Sequence, residues 1–125
     1  MPSILVAEDE ALLAWVIEQE LRDAGFDVAV ARNGVEALAV VQKIPVDLVL
    51  TDIMMPEMNG FALFDALRKS QPHLPIVAMT GYAGANGKDD LARLRSAGVP
   101  VLAKPFAPGR IIDTVRAMLD TSRPN

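Results

Sequence analysis

The sequence predicts an α/β domain in which five strand–helix units follow one another around a single parallel sheet. Short apolar runs alternate five times with segments of helical period. The runs are uninterrupted or rich in β-branched residues, as suits strands buried on both faces. The segments between them are long enough to cross over from one parallel strand to the next, which places helices on both faces of the sheet.

The first run, Ile4 to Ala7, leads into a helical segment from Ala11 to Ala24. At about 100° per residue, Leu13, Val16, Ile17, Leu21 and Ala24 share one arc and Trp15 falls nearly opposite, so Trp15 is expected on the exposed face. Gly25 marks the end of that helix. Val28 to Ala31 is the second strand, and Asn33 can cap a helix from Gly34 to Lys43. Leu48 to Leu50 and Gly60 to Ser70 form the third unit, and Ile76 to Met79 begins the fourth. The stretch from Gly81 to Gly87 holds three glycines in seven residues and reads as a mobile loop. A helix from Lys88 to Ala97 ends at Gly98, and Val101 to Ala103 is the last strand. The fifth helix is expected from Pro108 to Thr121, with Pro108 near its first turn. Ile111, Ile112, Val115, Met118 and Leu119 line its inner arc; Arg110, Asp113, Arg116 and Asp120 lie outside.

At 125 residues the chain makes one domain with a core that needs no metal or disulfide support. The absence of cysteine excludes disulfides, thiolate metal sites and a cysteine nucleophile. The N-terminus lacks the basic start and apolar stretch of a signal peptide, and no apolar run reaches the ~18 residues of a membrane span, so a cytoplasmic protein is expected. The net charge is −4 and the basic residues are scattered, which gives direct nucleic-acid binding little support.

In an open parallel sheet, ligands sit at the carboxyl ends of the strands. Glu8, Asp9 and Glu10 follow the first strand, Asp52 the third, Thr80 the fourth and Lys104 the fifth. Clustered carboxylates repel unless a cation joins them, and hard oxygen ligands without His or Cys select Mg²⁺ or Mn²⁺. A lysine and a threonine facing such an ion can each hold one oxygen of a transferring phosphoryl group. Asp52 is then the nucleophile, accepting phosphate from a phosphohistidine donor. Glu10 reads instead as an acid of the first helical turn, favoured by the helix dipole. His73, the single histidine, reads as a solvated loop residue, and Met54, Met55 and Met58 as packing and backbone contributions rather than soft-metal ligands.

Four motifs then stand together: Leu-Val-Ala-Glu-Asp-Glu, Asp52-Ile-Met-Met-Pro-Glu-Met-Asn-Gly60, Met-Thr80-Gly and Lys104-Pro105-Phe106. With them the chain resembles CheY-like response-regulator receiver domains of two-component signalling over essentially its whole length. The resemblance implies a flavodoxin-like sheet of strand order 2-1-3-4-5. It implies that Asp9 binds Mg²⁺ directly, Glu8 through water, and Asp52 as both ligand and phosphoacceptor, with the Met54 carbonyl completing the set. Thr80 and Lys104 would hold phosphoryl oxygens, and the Lys104–Pro105 bond would be cis. The implied partners are a histidine kinase or histidine phosphotransfer protein, met by the first helix and Trp15, and a downstream protein met by the fourth helix and fifth strand. A tryptophan lying flat over its own helix is the plainer reading of Trp15. The chain would be a phosphoacceptor rather than an enzyme, a monomer without phosphate, and a receiver over residues 1–125 with no output domain.

Two other classes are disfavoured. Haloacid dehalogenase-like phosphatases carry a general acid two residues after the nucleophile, where this chain has Met54. A flavodoxin-type FMN carrier needs a phosphate loop after the first strand, where Glu8-Asp9-Glu10 would repel phosphate. Within the receiver family, Met1 and the short tail favour a stand-alone protein, whereas the wording around Thr80 and Lys104 resembles receivers of hybrid kinases or multidomain regulators. One position departs from the family: Val101 stands where an aromatic commonly couples to the threonine. Tyr82 is the candidate substitute, either as a moving element of the switch or as a shield over the site.

Overall fold

The computed structural model describes residues 1–55, 57–81, 88–104, 106–107 and 109–122. In chain order the elements are β1 (Ser3–Ala7), α1 (Ala11–Asp23), β2 (Asp27–Ala31), α2 (Gly34–Lys43), β3 (Leu48–Asp52), α3 (Gly60–Ser70), β4 (Ile76–Thr80), α4 (Lys88–Ser96), β5 (Val101–Ala103) and α5 (Arg110–Ser122). The strands form one sheet in the order β2-β1-β3-β4-β5, every neighbour parallel. This is the flavodoxin-like (βα)5 arrangement expected above.

Helix ends follow local chemistry. Asn33 and Asn59 cap α2 and α3, their side-chain oxygens accepting from the amides of Glu36 at 2.8 Å and Ala62 at 3.0 Å. After α1 and α4, Gly25 (φ 95°) and Gly98 (φ 83°) take the left-handed conformation. The next amides, of Phe26 and Val99, then close on the carbonyls of Leu21 and Leu94. Both of those following residues are buried, which ties each turn to the core.

The sheet separates two cores. Leu5, Val49, Ile76 and Ala78 face α2, α3 and α4 through Val41, Leu63, Leu67, Leu91 and Leu94. Ile4, Val6, Leu50, Val77 and Met79 face α1 and α5 through Ile17, Leu21, Ile111, Val115 and Leu119. β3 and β4 are buried along their whole length, while β2 and β5, at the edges, are only partly covered. Each fully buried Leu or Ile contributes roughly 1.5–3 kcal/mol of transfer free energy.

Three expectations need correction. Val16 is 45% exposed, and Ala14 takes its place beside Ile17 and Leu21 on the buried stripe of α1. Ala14, Ile17 and Leu21 stand at helical spacing on that stripe, which leaves Val16 at its edge towards solvent. α5 begins at Arg110 rather than Pro108, after Gly109 turns the chain at φ 79°. Glu10 lies at the N-cap of α1, one residue ahead of the first turn, and its side chain caps nothing.

Candidate functional site

Strand register brings the polar residues to one level. Ala7 pairs with Thr51 in the β1–β3 ladder, so Glu8 continues the chain level with Asp52. Asp52 pairs with Met79, which places Thr80 one step beyond it, and Thr80 pairs with Ala103, which places Lys104 one step further. The Lys104 amide donates to the Thr80 carbonyl at 2.8 Å and fixes where that side chain departs. Gly81 lies beside it, and a Cβ there would be in ordinary contact with the Lys104 Cδ at 3.6 Å.

Glu8 and Asp52 are buried, at 1% and 4% exposure, and Asp9 is exposed. One oxygen from each of these three carboxylates lies within 4.8 Å of the others. Lys104 joins the two buried acids, its Nζ donating to Glu8 Oε1 at 2.7 Å and to Asp52 Oδ2 at 2.8 Å. The remaining oxygens are also held: the Met54 amide donates to Asp52 Oδ1 at 3.1 Å and the Glu10 amide to Glu8 Oε2 at 3.1 Å. Thr80 ends β4 at 7% exposure.

Two buried carboxylates share one ammonium, and the electrostatics show the deficit. Burial pushes the Glu8 carboxyl up to about 7, the Asp52 carboxylate beside it adds to the rise, and Lys104 only partly opposes it. Burial pulls the Lys104 ammonium down, but hydrogen bonds and charge from Asp52 and Glu8 outweigh that and hold it above the ordinary lysine range. A divalent ion fits this donor set: hard oxygens only, positive charge in deficit, and one exposed acid for access.

The structure therefore brings together Glu8, Asp9, Asp52, Thr80 and Lys104. What the sequence did not reveal is that Lys104 pairs with Glu8 as closely as with Asp52; no local pattern signals a contact across 96 positions. The Met54 side chain is 62% exposed, which leaves packing to Met55 and Met58 and a backbone contribution to Met54. Val101 is half-buried against the α2–α4 side of the core. Tyr82 and Pro105 lie outside the described residues, and with them the loop switch and the cis bond.

Trp15 is 57% exposed, on an outer stripe of α1 with Leu12 (71%) and Val16. It lines a recess of about 450 Å³ with Glu8, Asp9, Glu18 and Arg32. On the other flank of α1, Leu13, Val16, Ile17, Phe106, Ala107 and Ile111 line a groove of about 500 Å³ that reaches Lys104. Among the described residues, no helix is long and apolar enough to cross a membrane.

Known proteins place this geometry. The DNA-binding response regulator MtrA of Mycobacterium tuberculosis is 40% identical over 116 residues, covering 93% of this chain and 50% of the relative. The chain thus spans about half the length of the curated relatives it matches. Among solved structures, a CheY-like receiver domain from Methanospirillum hungatei superposes with a TM-score of 0.89 at 26% identity, covering 98% of this chain and 96% of that one. The response regulator TrrA of Thermotoga maritima, solved in complex with Mg²⁺-BeF, superposes with a TM-score of 0.83 at 29% identity, covering 94% and 99%. The response regulator receiver model matches residues 4–116, the span that carries all five site residues, and the chain belongs to that family of two-component signalling domains.

Proposed function

We propose that this domain accepts a phosphoryl group on Asp52 from a phosphohistidine of a histidine kinase or histidine phosphotransfer protein in the cytoplasm. The reaction depends on Mg²⁺ or Mn²⁺, and the phosphorylated domain signals by protein contact. The observation that supports it is the convergence of the carboxylates of Glu8, Asp9 and Asp52 with the Lys104 ammonium, 2.8 Å from Asp52. The complex of TrrA with Mg²⁺-BeF supports the same reading.

In the transfer, an Asp52 carboxylate oxygen attacks phosphorus, the P–O bond forms as the P–N bond of the donor breaks, and the electron pair leaves on the imidazole nitrogen. Glu8, Asp9, Asp52 and the Met54 carbonyl would hold the cation, Glu8 through water, and the ion would supply neutralisation of the phosphoryl oxygens. Lys104 and the Thr80 hydroxyl each hold one phosphoryl oxygen in place. In this reading the chain acts as a phosphoacceptor and not as an enzyme. It needs no contact with nucleic acid for this chemistry.

Incubation with acetyl phosphate and Mg²⁺ should add the mass of one phosphoryl group in an acid-stable, base-labile form, and Asp52→Ala should abolish it. An adduct that survives Asp52→Ala refutes the assignment. The exposed stripe of Leu12, Trp15 and Val16, beside the groove that leads to Lys104, supports α1 as the donor's docking face. Trp15→Ala should slow transfer from a cognate donor about tenfold, the loss of one interface anchor, and spare labelling by acetyl phosphate. Equal loss in both assays would show a folding defect instead. A second reading, a receiver segment of a multidomain regulator, is favoured by relatives of about twice this length. The full reading frame tests it.

A further inference from the structure

The loop from Ile53 to Asn59 leaves Asp52 and is gripped at two positions that lack a side chain. At its end, Gly60 donates its amide to the Ile53 carbonyl at 2.9 Å. A Cβ on Gly60 would lie 2.6 Å from the Asp52 carbonyl oxygen and 2.8 Å from the Ile53 Cα. Near the same end, at Met58, the loop rests on the first residue of α2. The Gly34 amide donates to the Met58 carbonyl at 2.9 Å. A Cβ on Gly34 would overlap that carbonyl oxygen and lie 2.6 Å from Met58 Cγ. Because backbone atoms are involved on both sides, no rotamer change relieves either contact. Next to Met58, Glu57 is held at φ 66°, a left-handed conformation uncommon for a residue other than glycine.

We propose that Gly34 is a positioning residue for Asp52: the bare first turn of α2 is the seat against which the β3–α3 loop is pressed, and that seat sets where the Met54 amide holds the Asp52 carboxylate. A methyl group at position 34 displaces Met58. The loop cannot yield towards Asp52, where Gly60 already packs against backbone, so the displacement passes to Met54 and to its 3.1 Å hydrogen bond with Asp52 Oδ1. The carboxylate then turns away from the orientation shared with Glu8, Asp9 and Lys104. Gly34 touches neither the carboxylate nor any ion; it acts through the loop. The inference rests on Asp52 being metal ligand and phosphoacceptor, and it extends that site to α2.

The test compares Gly34→Ala with Gly25→Ala in the full chain. Gly25 has φ 95° and nothing within 4 Å of an added Cβ, so alanine there introduces backbone strain, without a clash, in the turn between α1 and β2. The first readout is the amide ¹H–¹⁵N shift of Met54 in the absence of any divalent ion. It should move in Gly34→Ala and stay in place in Gly25→Ala. The second is Mg²⁺ affinity followed by fluorescence of Trp15, which shares a recess with Glu8 and Asp9. It should weaken about tenfold in Gly34→Ala, as for loss of an orienting contact behind a ligand, and remain parental in the control. Where Gly34→Ala does not fold, Met58→Ala opens the same seat from the other side and should move the Met54 shift. A folded variant with parental Met54 shift and Mg²⁺ affinity, or equal changes in Gly25→Ala, overturns the proposal. Failure of the parent to label on Asp52 would instead strike the phosphoacceptor reading, since the Met54 shift needs neither ion nor phosphodonor.

Discussion

Replacing Lys104 by methionine removes the ammonium that lies 2.7 Å from Glu8 and 2.8 Å from Asp52 while keeping most of the side-chain volume. Both acids are buried, and uncovering one partner of a buried pair ordinarily costs about 3–5 kcal/mol. The loss here is smaller, because Glu8 titrates at about 7 even with Lys104 present. Without the ammonium its carboxyl rises further and takes up a proton, which caps the repulsion. At about pH 8, without divalent ions, the variant should lose ~2 kcal/mol, or ~8 °C of melting temperature for a domain of this size. At about pH 5.5 Glu8 is already mostly protonated in the parent, so the deficit should shrink to about 1 kcal/mol or less. Thermal unfolding in EDTA at the two pH values is the assay. Millimolar Mg²⁺ should restore part of the loss at the higher pH, and acetyl-phosphate labelling should fall about a hundredfold because one phosphoryl oxygen loses its partner. A variant equally destabilised at both pH values would refute the shared-ammonium account, and one as stable as the parent at the higher pH would refute it outright.

The Glu8 titration makes a separate prediction. Its folded value is raised above the ordinary 4.5, so its favourable contribution is complete below that value and is lost as the pH rises through about 7. In EDTA the parent should therefore lose stability across that window, where Lys104 stays charged and contributes no slope, and Glu8→Gln should flatten the profile; an unchanged slope would show that another group carries it. Leu67→Ala, at a fully buried position of α3, should cost about 3 kcal/mol by urea denaturation without abolishing labelling of the folded fraction. A cost below about 1 kcal/mol would mean the α2–α4 core relaxes into the cavity.

Much of the fold was legible because its signals are local. Apolar runs and helical periods placed all ten elements to within a few residues, and Gly25, Asn33 and Gly98 marked helix ends through backbone chemistry that needs no distant partner. The positions of Glu8, Asp9, Asp52, Thr80 and Lys104 followed from one rule, that parallel strands present their carboxyl ends together. Strand order did not follow from any residue pattern and came from the family resemblance. Tertiary structure decided what depends on meetings between distant segments. Packing decided that Ala14 rather than Val16 belongs to the buried stripe of α1, and Gly109 decided the start of α5. Register made Lys104 the shared partner of Glu8 and Asp52, and burial, with the Asp52 carboxylate beside it, carried the Glu8 carboxyl to about 7. Gly34 and Gly60 look like ordinary helix-start glycines in the sequence. Only the packed backbone shows what a side chain there would strike, because steric exclusion belongs to pairs of segments and is written in neither one.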